Sequence, residues 1–305
     1  MRRILCALFV ALSLFASAHA ESVSIEDAFG NTAMLDQDCR VVSCHASFAQ
    51  CWLLSGGTLV GVTEDAITDR DLEIEGDIGI VGTVKSIDLE RLVALEPDYV
   101  LLSADLTAHL ELEPILQQMG IAYGYFREDT FAEYAAIMQQ FCAINDPTGE
   151  SYRQNVTEVE NRIRSVQEEI PKETDETVLL LRAFSSGMKA KTDDNLAGQI
   201  LKEYGFLNIA DRFPSLLEEL SMEQILLEDP DHIFVITMGD ESAAREYLMQ
   251  NVENDPAWAG LSAVRNGRYV VLPQELFHYK PNARWDESYR YLAEILYPEL
   301  FAEAE

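Results

Sequence analysis

Two stretches of the chain lie over one another without a gap: Asp88–Leu102, DLERLVALEPDYVLL, and Ser221–Val235, SMEQILLEDPDHIFV, 133 residues apart at every position. In each, a glutamate (Glu90 or Glu223) stands in the first turn of a short amphipathic helix. A Pro-Asp pair ends that helix and an apolar, β-rich run follows it. Each copy therefore reads as one helix-to-strand step of a parallel sheet. The half-chain offset predicts two duplicated lobes.

The sequence between the copies supplies the joint. Glu150 to Ile170 carries Tyr152, Val156, Val159, Ile163, Val166 and Ile170 at alternating spacings of four and three, which makes one sustained apolar helix face. Asp146-Pro147-Thr148-Gly149 breaks the chain before it and Pro171 stops it. Such a helix runs roughly 30 Å and can brace two lobes, resisting a large closing motion. On either side, apolar strands alternate with helices. Arg40–Cys44, Leu59–Val62, Tyr99–Leu102 and Ile121–Tyr125 are the predicted strands of the first lobe, and Thr177–Arg182, Ile233–Thr237 and Tyr269–Leu272 those of the second. The predicted fold is α/β: two doubly wound parallel-sheet lobes bridged by a single long α-helix, with an N-terminal lobe at 21–148, the bridge at 149–171 and a C-terminal lobe at 172–305. Ligands bind such sheets at the carboxyl ends of their strands, so the two lobes should face each other across one cleft.

The first twenty residues read as a secretory signal: Arg2 and Arg3, an apolar core from Ile4 to Phe15, and Ala18-His19-Ala20 as a small-residue cleavage site. The apolar run is too short to span a bilayer. Cys6 lies inside that run, so it is not placed for lipid attachment. A periplasmic or otherwise extracellular, soluble and monomeric protein beginning near Glu21 is expected. An oxidising compartment permits disulfides among Cys39, Cys44, Cys51 and Cys142, but the spacing does not choose between pairings or between bridges and free thiols. With 22 Lys and Arg against 53 Asp and Glu, the net charge of −31 repels nucleic acid and anionic lipid.

On these residues the chain resembles the periplasmic binding proteins of iron-siderophore, haem and cobalamin ABC importers, whose lobes are joined by one long helix. The resemblance runs through RVVSCHASFAQCWLLSGGTLVGVT, VGTVKSIDLERLVALEPDYVLLS, LSMEQILLEDPDHIFVI and DPAWAGLSAVRNGRYVVLP with YLAEILYPE. It implies capture of a metal chelate (ferric siderophore, haem or corrinoid, as cargo and not as a cofactor) and delivery to an ABC permease in the inner membrane. It further implies that Glu90 and Glu223 pair with permease arginines. A helix-dipole role in the first turn accounts for the same two residues without a partner.

Basic residues beyond the predicted strand ends mark where an anionic cargo would be held: Arg127 in the first lobe, and Arg182, Lys189, Lys191, Lys280 and Arg284 in the second. Tyr125, Tyr279 and Trp285 offer flat faces beside them. His45, Ser47, Lys85 and Asp105 lie on loops that would form the first-lobe wall, with Ser47 either meeting an anion or capping its helix. His278 and Tyr279 are the candidate donors to a cargo metal. His109 is a weaker candidate, whereas His232, at the start of its strand, reads as structural. An oxyanion of the molybdate kind fits the same lobes. A permease-independent sensor or scavenger and a chelatase-like enzyme are the remaining alternatives, although the chain has no GxSxG, GxGxxG, GxxxxGK or HExxH motif to carry catalysis.

Overall fold

The computed structural model describes residues 22–74 and 76–301, so the signal segment at 1–20 lies outside the described residues. The chain opens with an antiparallel hairpin, β1 (Val23–Glu26) and β2 (Thr32–Leu35). Sequence reading missed it. Its turn is tied by Asp27, whose carboxylate accepts the N–H groups of Phe29 and Asn31.

The first lobe then contributes β3 (Val41–Ser43), β4 (Gly61–Val62), β5 (Gly79–Ile80), a small hairpin of β6 (Gly82–Thr83) and β7 (Ser86–Ile87), β8 (Tyr99–Ser103) and β9 (Ala122–Phe126). Its sheet runs β5-β4-β3-β8-β9 with every pair parallel. The second lobe contributes β10 (Thr177–Phe184), β11 (Gly187–Lys191), β12 (Leu207–Asn208), β13 (His232–Thr237) and β14 (Tyr269–Leu272). β10, β13 and β14 are parallel neighbours. On the other side, β12 pairs in parallel with the start of β10 and β11 folds back antiparallel along its end. That antiparallel edge departs from the all-parallel expectation. It arises because Ser185-Ser186 turn the chain directly after β10 instead of leading into a helix.

The sequence repeat is a structural repeat in detail. The helices Leu89–Ala94 and Met222–Glu228 are capped by Asp88 and Ser221, whose side chains accept the N–H groups of Arg91 and Gln224. Leu92 and Ile225 are fully buried beneath them. Glu96 and Asp229, each preceding the proline, take left-handed backbone at φ +46° and +42°. Asp98 and Asp231 then clamp the leading strand of their own lobe, accepting through Oδ2 at 2.8 Å the N–H of Arg40 and of Thr177.

Between the lobes the chain is helical from 150 to 169, with a π-helical turn at Arg153–Thr157 separating Glu150–Tyr152 from Glu158–Glu169. The wider turn coincides with an outside demand on the backbone: the Asn155 carbonyl accepts from the Tyr134 hydroxyl at 2.9 Å. Val156, Val159, Ile163 and Val166 are buried, as the apolar spacing predicts. The C-terminal helix Trp285–Leu296 packs along this rod, with Arg162 paired to Asp286.

Strand residues alternate between two apolar layers. Val41 and Leu101 in the first lobe, and Leu180 and Phe234 in the second, join one continuous core that also takes in the long helix and Trp285. Their neighbours Val42 and Val100, and Leu179 and Val235, face a separate core for each lobe. All four cysteines from Cys39 onward are free thiols, and Cys44, Cys51 and Cys142 are buried. No helix among the described residues is long and apolar enough to cross a membrane.

Candidate functional site

The carboxyl ends of both sheets open onto one cleft of about 490 Å³. The first lobe lines it with His45 beyond β3, Ser103 and Asp105 at the end of β8, and Glu128 and Asp129 beyond β9. The second lobe lines it with Arg182 from β10, Asn195, Met238 beyond β13, and the run Phe277-His278-Tyr279-Lys280 that follows β14. This is where a doubly wound sheet presents its loops to a ligand.

Six of the anticipated residues meet here: His45, Asp105, Arg182, His278, Tyr279 and Lys280. Arg182 lines the cleft near the carboxyl end of β10. Its Nε is buried without a hydrogen-bond partner among the described residues, and burial lowers the guanidinium pKa against the opposing pull of Asp194 and Asp129. Lys280 is instead neutralised by an ion pair with Asp129 across the cleft. His278 stacks against Tyr279 with ring centroids 4.8 Å apart. Burial first, then Arg182, pushes its imidazole down to about 4, so it is neutral and able to donate a lone pair at neutral pH. His45 is likewise held neutral by burial, at about 3. It caps the helix Ala46–Leu54, with Nδ1 accepting the Ser47 N–H at 3.3 Å.

The other anticipated residues lie elsewhere. Ser47 is completely buried, neither anion contact nor cap: His45 takes the capping role and the Ser47 hydroxyl is turned into the interior. Tyr125 and Trp285 are interior residues, each about 1% exposed. Tyr125 donates its hydroxyl to the His109 carbonyl and Trp285 packs edge-on against Phe131. Arg127 points out of the cleft and pairs with Asp105 at 2.8 Å, and Arg284 pairs with Glu287. Lys85 is exposed in the turn of the β6–β7 hairpin, and Lys189 is exposed on β11. Lys191, on the same strand, is bound by Asp194.

The positive patch anticipated from sequence is therefore not assembled, because local carboxylates have taken most of its members. His109 is fully buried, accepting the Ser103 N–H through Nδ1 and donating through Nε2 to the Val84 carbonyl. His232 is buried beside Glu176 at 3.0 Å. Glu90 and Glu223 are both exposed in the first turn of their helices, and neither makes an ion pair among the described residues.

Glu128 was missed by sequence reading. It stands beside Arg127 in the loop past β9, where no strand alternation fixes which way a side chain points. Only 1% exposed, Glu128 has its pKa raised by burial, against the opposing effects of Ser47, Arg70 and Lys280. Among the described residues there is no cluster of three or more His, Cys, Asp or Glu able to hold a bare metal ion.

Two α/β lobes facing one ligand cleft across a long helix define a two-lobed solute-binding protein. The chain belongs to the periplasmic binding protein family, whose model matches residues 41–276. It is 26% identical over 257 residues to the Fe(3+)-citrate-binding protein YfmC of Bacillus subtilis (strain 168), covering 83% of this chain and 78% of that one. Its fold is shared with Staphylococcus aureus IsdE complexed with heme (TM-score 0.68, 15% identity, 85% of this chain and 99% of the other). It is also shared with the periplasmic catecholate-siderophore binding protein VctP of Vibrio cholerae (TM-score 0.67, 15% identity, 90% and 99%).

Proposed function

We propose that this chain captures a ferric chelate of the citrate class in the interlobe cleft and delivers it, outside the cytoplasm, to an ABC permease in the inner membrane. The observation that carries the reading is Arg182: a guanidinium with an unpartnered, buried Nε–H at the carboxyl end of β10, able to bind a carboxylate on the chelate. The relative whose name specifies ferric citrate supports the choice of cargo. In this reading the lobes at 21–148 and 172–305 close only slightly, because one apolar core runs through both.

The protein performs no chemistry on the cargo and requires no cofactor of its own. In this reading His278 and Tyr279, both on the cleft wall, complete the iron's coordination where the chelate leaves a site open, while the chelate brings the remaining ligands. Haem is the second reading, favoured by the neutral His278 imidazole at the cleft wall. Titrations with ferric citrate, a ferric catecholate and haemin, followed by tryptophan fluorescence and visible absorption, separate these cargoes. Ferric citrate is expected to bind, and Arg182→Ala to weaken it about tenfold or more, since a charge-assisted bond is worth ~1.5–3 kcal/mol. A protein that binds none of the three, or an R182A variant that binds as tightly as the parent, would overturn the assignment.

A further inference from the structure

Beneath the cleft floor, a line of polar contacts crosses from the first lobe to the second, and each contact fixes the proton position of the next. The Arg70 guanidinium can only donate. It donates to Gln50 Oε1 and, at 2.7 Å, to the Lys280 carbonyl, which sets Gln50's oxygen in place. That oxygen also accepts from Asn282 Nδ2 at 2.7 Å, and the same Nδ2 donates to the Ser47 carbonyl at 3.2 Å. The Asn282 amide is thereby oriented with Oδ1 toward the Ser47 hydroxyl, 2.9 Å away.

The same hydroxyl lies 2.7 Å from Glu128 Oε2. A serine hydroxyl has one proton to give. Were Glu128 ionised, Glu128 Oε2 and Asn282 Oδ1 would both require it, and whichever went without would be pressed against the Ser47 lone pairs at 2.7 or 2.9 Å, a conflict that the weak Cys51 Sγ–H donor, 3.8 Å from Oε2, does not remove. A proton on Glu128 Oε2 resolves the conflict: the acid donates to Ser47 Oγ, and Ser47 donates to Asn282 Oδ1.

We propose that Glu128 stands in the cleft wall as an uncharged carboxylic acid heading this interlobe chain, and that its Oε1 accepts a hydrogen bond from a hydroxyl or amide N–H of the cargo. Oε1 is buried and has no partner among the described residues, on a side chain that lines the cleft. The titratable groups around the carboxyl include Cys51 from the helix Ala46–Leu54, Arg70, Tyr134 from the helix Phe131–Asn145, Lys280 from the segment after β14, and His45 and Asp129 on the same cleft wall, and burial outweighs the two cations Arg70 and Lys280. The cargo would then present a carboxylate to Arg182 on one wall and a hydrogen-bond donor to Glu128 on the other. This second clause rests on the cleft being the capture site; the protonation state does not.

Infrared difference spectra at neutral pH test the acid directly, without any cargo. The native protein should show a protonated-carboxyl C=O band that Glu128→Gln removes and that Ser47→Ala, which deletes its acceptor, shifts. No such band, or a band indifferent to S47A, overturns the proposal, and S47A decides it even if E128Q fails to fold. Ferric citrate titrations supply the cargo arm: Glu128→Met should lower affinity at least tenfold, and Gln at that position should restore most of it. Equal damage from Met and Gln would mean that charge matters, and would overturn the uncharged acid. A native protein that ignores ferric citrate counts against the proposed cargo and leaves the infrared result to decide the protonation state.

Discussion

The two copies of the repeat are alike where they face away from the cleft and unlike where they reach it. At one end each has a capped helix with an exposed glutamate in its first turn, a buried aliphatic anchor and a clamping aspartate. At the other, equivalent positions past β8 and β13 put Asp105 on one cleft wall and Met238 on the other. Structural constraint explains the likeness of anchor and clamp, which hold helix to strand in both lobes. It does not require Glu90 and Glu223, whose side chains are solvent-exposed. The cleft ends, in contrast, differ in chemistry, a carboxylate on one wall against a thioether on the other, as the proposed capture of one asymmetric cargo requires.

Reversing both glutamates is the largest test of that comparison. Glu90→Lys with Glu223→Lys is expected to abolish uptake in cells while leaving ferric-citrate affinity of the purified protein unchanged. If permease arginines dock on both glutamates, each single reversal should give a comparable partial defect, since either contact alone would still orient the protein. Normal uptake by the double variant would reduce both residues to favourable helix-dipole charges, worth ~0.3–1 kcal/mol each.

A smaller effect separates the two clamps. Asp98 accepts the Arg40 N–H, whereas Asp231 accepts both the N–H and the hydroxyl of Thr177, at 2.8 and 3.0 Å. With each net hydrogen bond worth ~1 kcal/mol, Asp98→Ala should cost about 1 kcal/mol and Asp231→Ala about 2 kcal/mol in urea unfolding. Equal costs would show that the second bond at Thr177 adds nothing.

What the sequence revealed divides along the same line. The strands, the long helix and the repeat were legible because Pro-Asp punctuation and apolar periodicity are local signals, and every predicted strand lies within two residues of an observed one. The π-helical turn was not legible, since it accompanies a hydrogen bond from Tyr134, 21 residues away from Asn155. The cleft was legible as a place but not as a membership. Whether Arg127 or Lys280 is free for a ligand depends on Asp105 and Asp129, distant in sequence and brought close only by the fold, whereas the partners of Lys191 and Arg284 stand three residues on, at Asp194 and Glu287. Glu128 and Asn282 are 154 positions apart in the chain, each tied to the Ser47 hydroxyl, and no spacing announces them.

The finest test uses the two left-handed residues before the prolines. Any L-residue pays ~1–2 kcal/mol to adopt this backbone, and glycine avoids most of that while losing ~0.5–1 kcal/mol more chain entropy on folding. The exposed Glu96 side chain makes no hydrogen bond among the described residues, so Glu96→Gly should stabilise the protein by about 0.5 kcal/mol. Asp229 shares the conformation, yet its carboxylate accepts the Ser262 N–H at 2.7 Å and the Ser262 hydroxyl at 2.6 Å. Asp229→Gly should therefore have the opposite sign, a net loss of about 1.5 kcal/mol once the two bonds, at ~1 kcal/mol each, are gone. Those bonds hold the Asp229 pKa below its ordinary 3.8, so their stabilisation is present above that pH and is lost as pH falls through the depressed folded value. Urea midpoints of D229G and the parent should accordingly converge on acidification while those of E96G stay offset. Parallel curves for D229G would show that its loss does not come from the ionised carboxylate's bonds to Ser262.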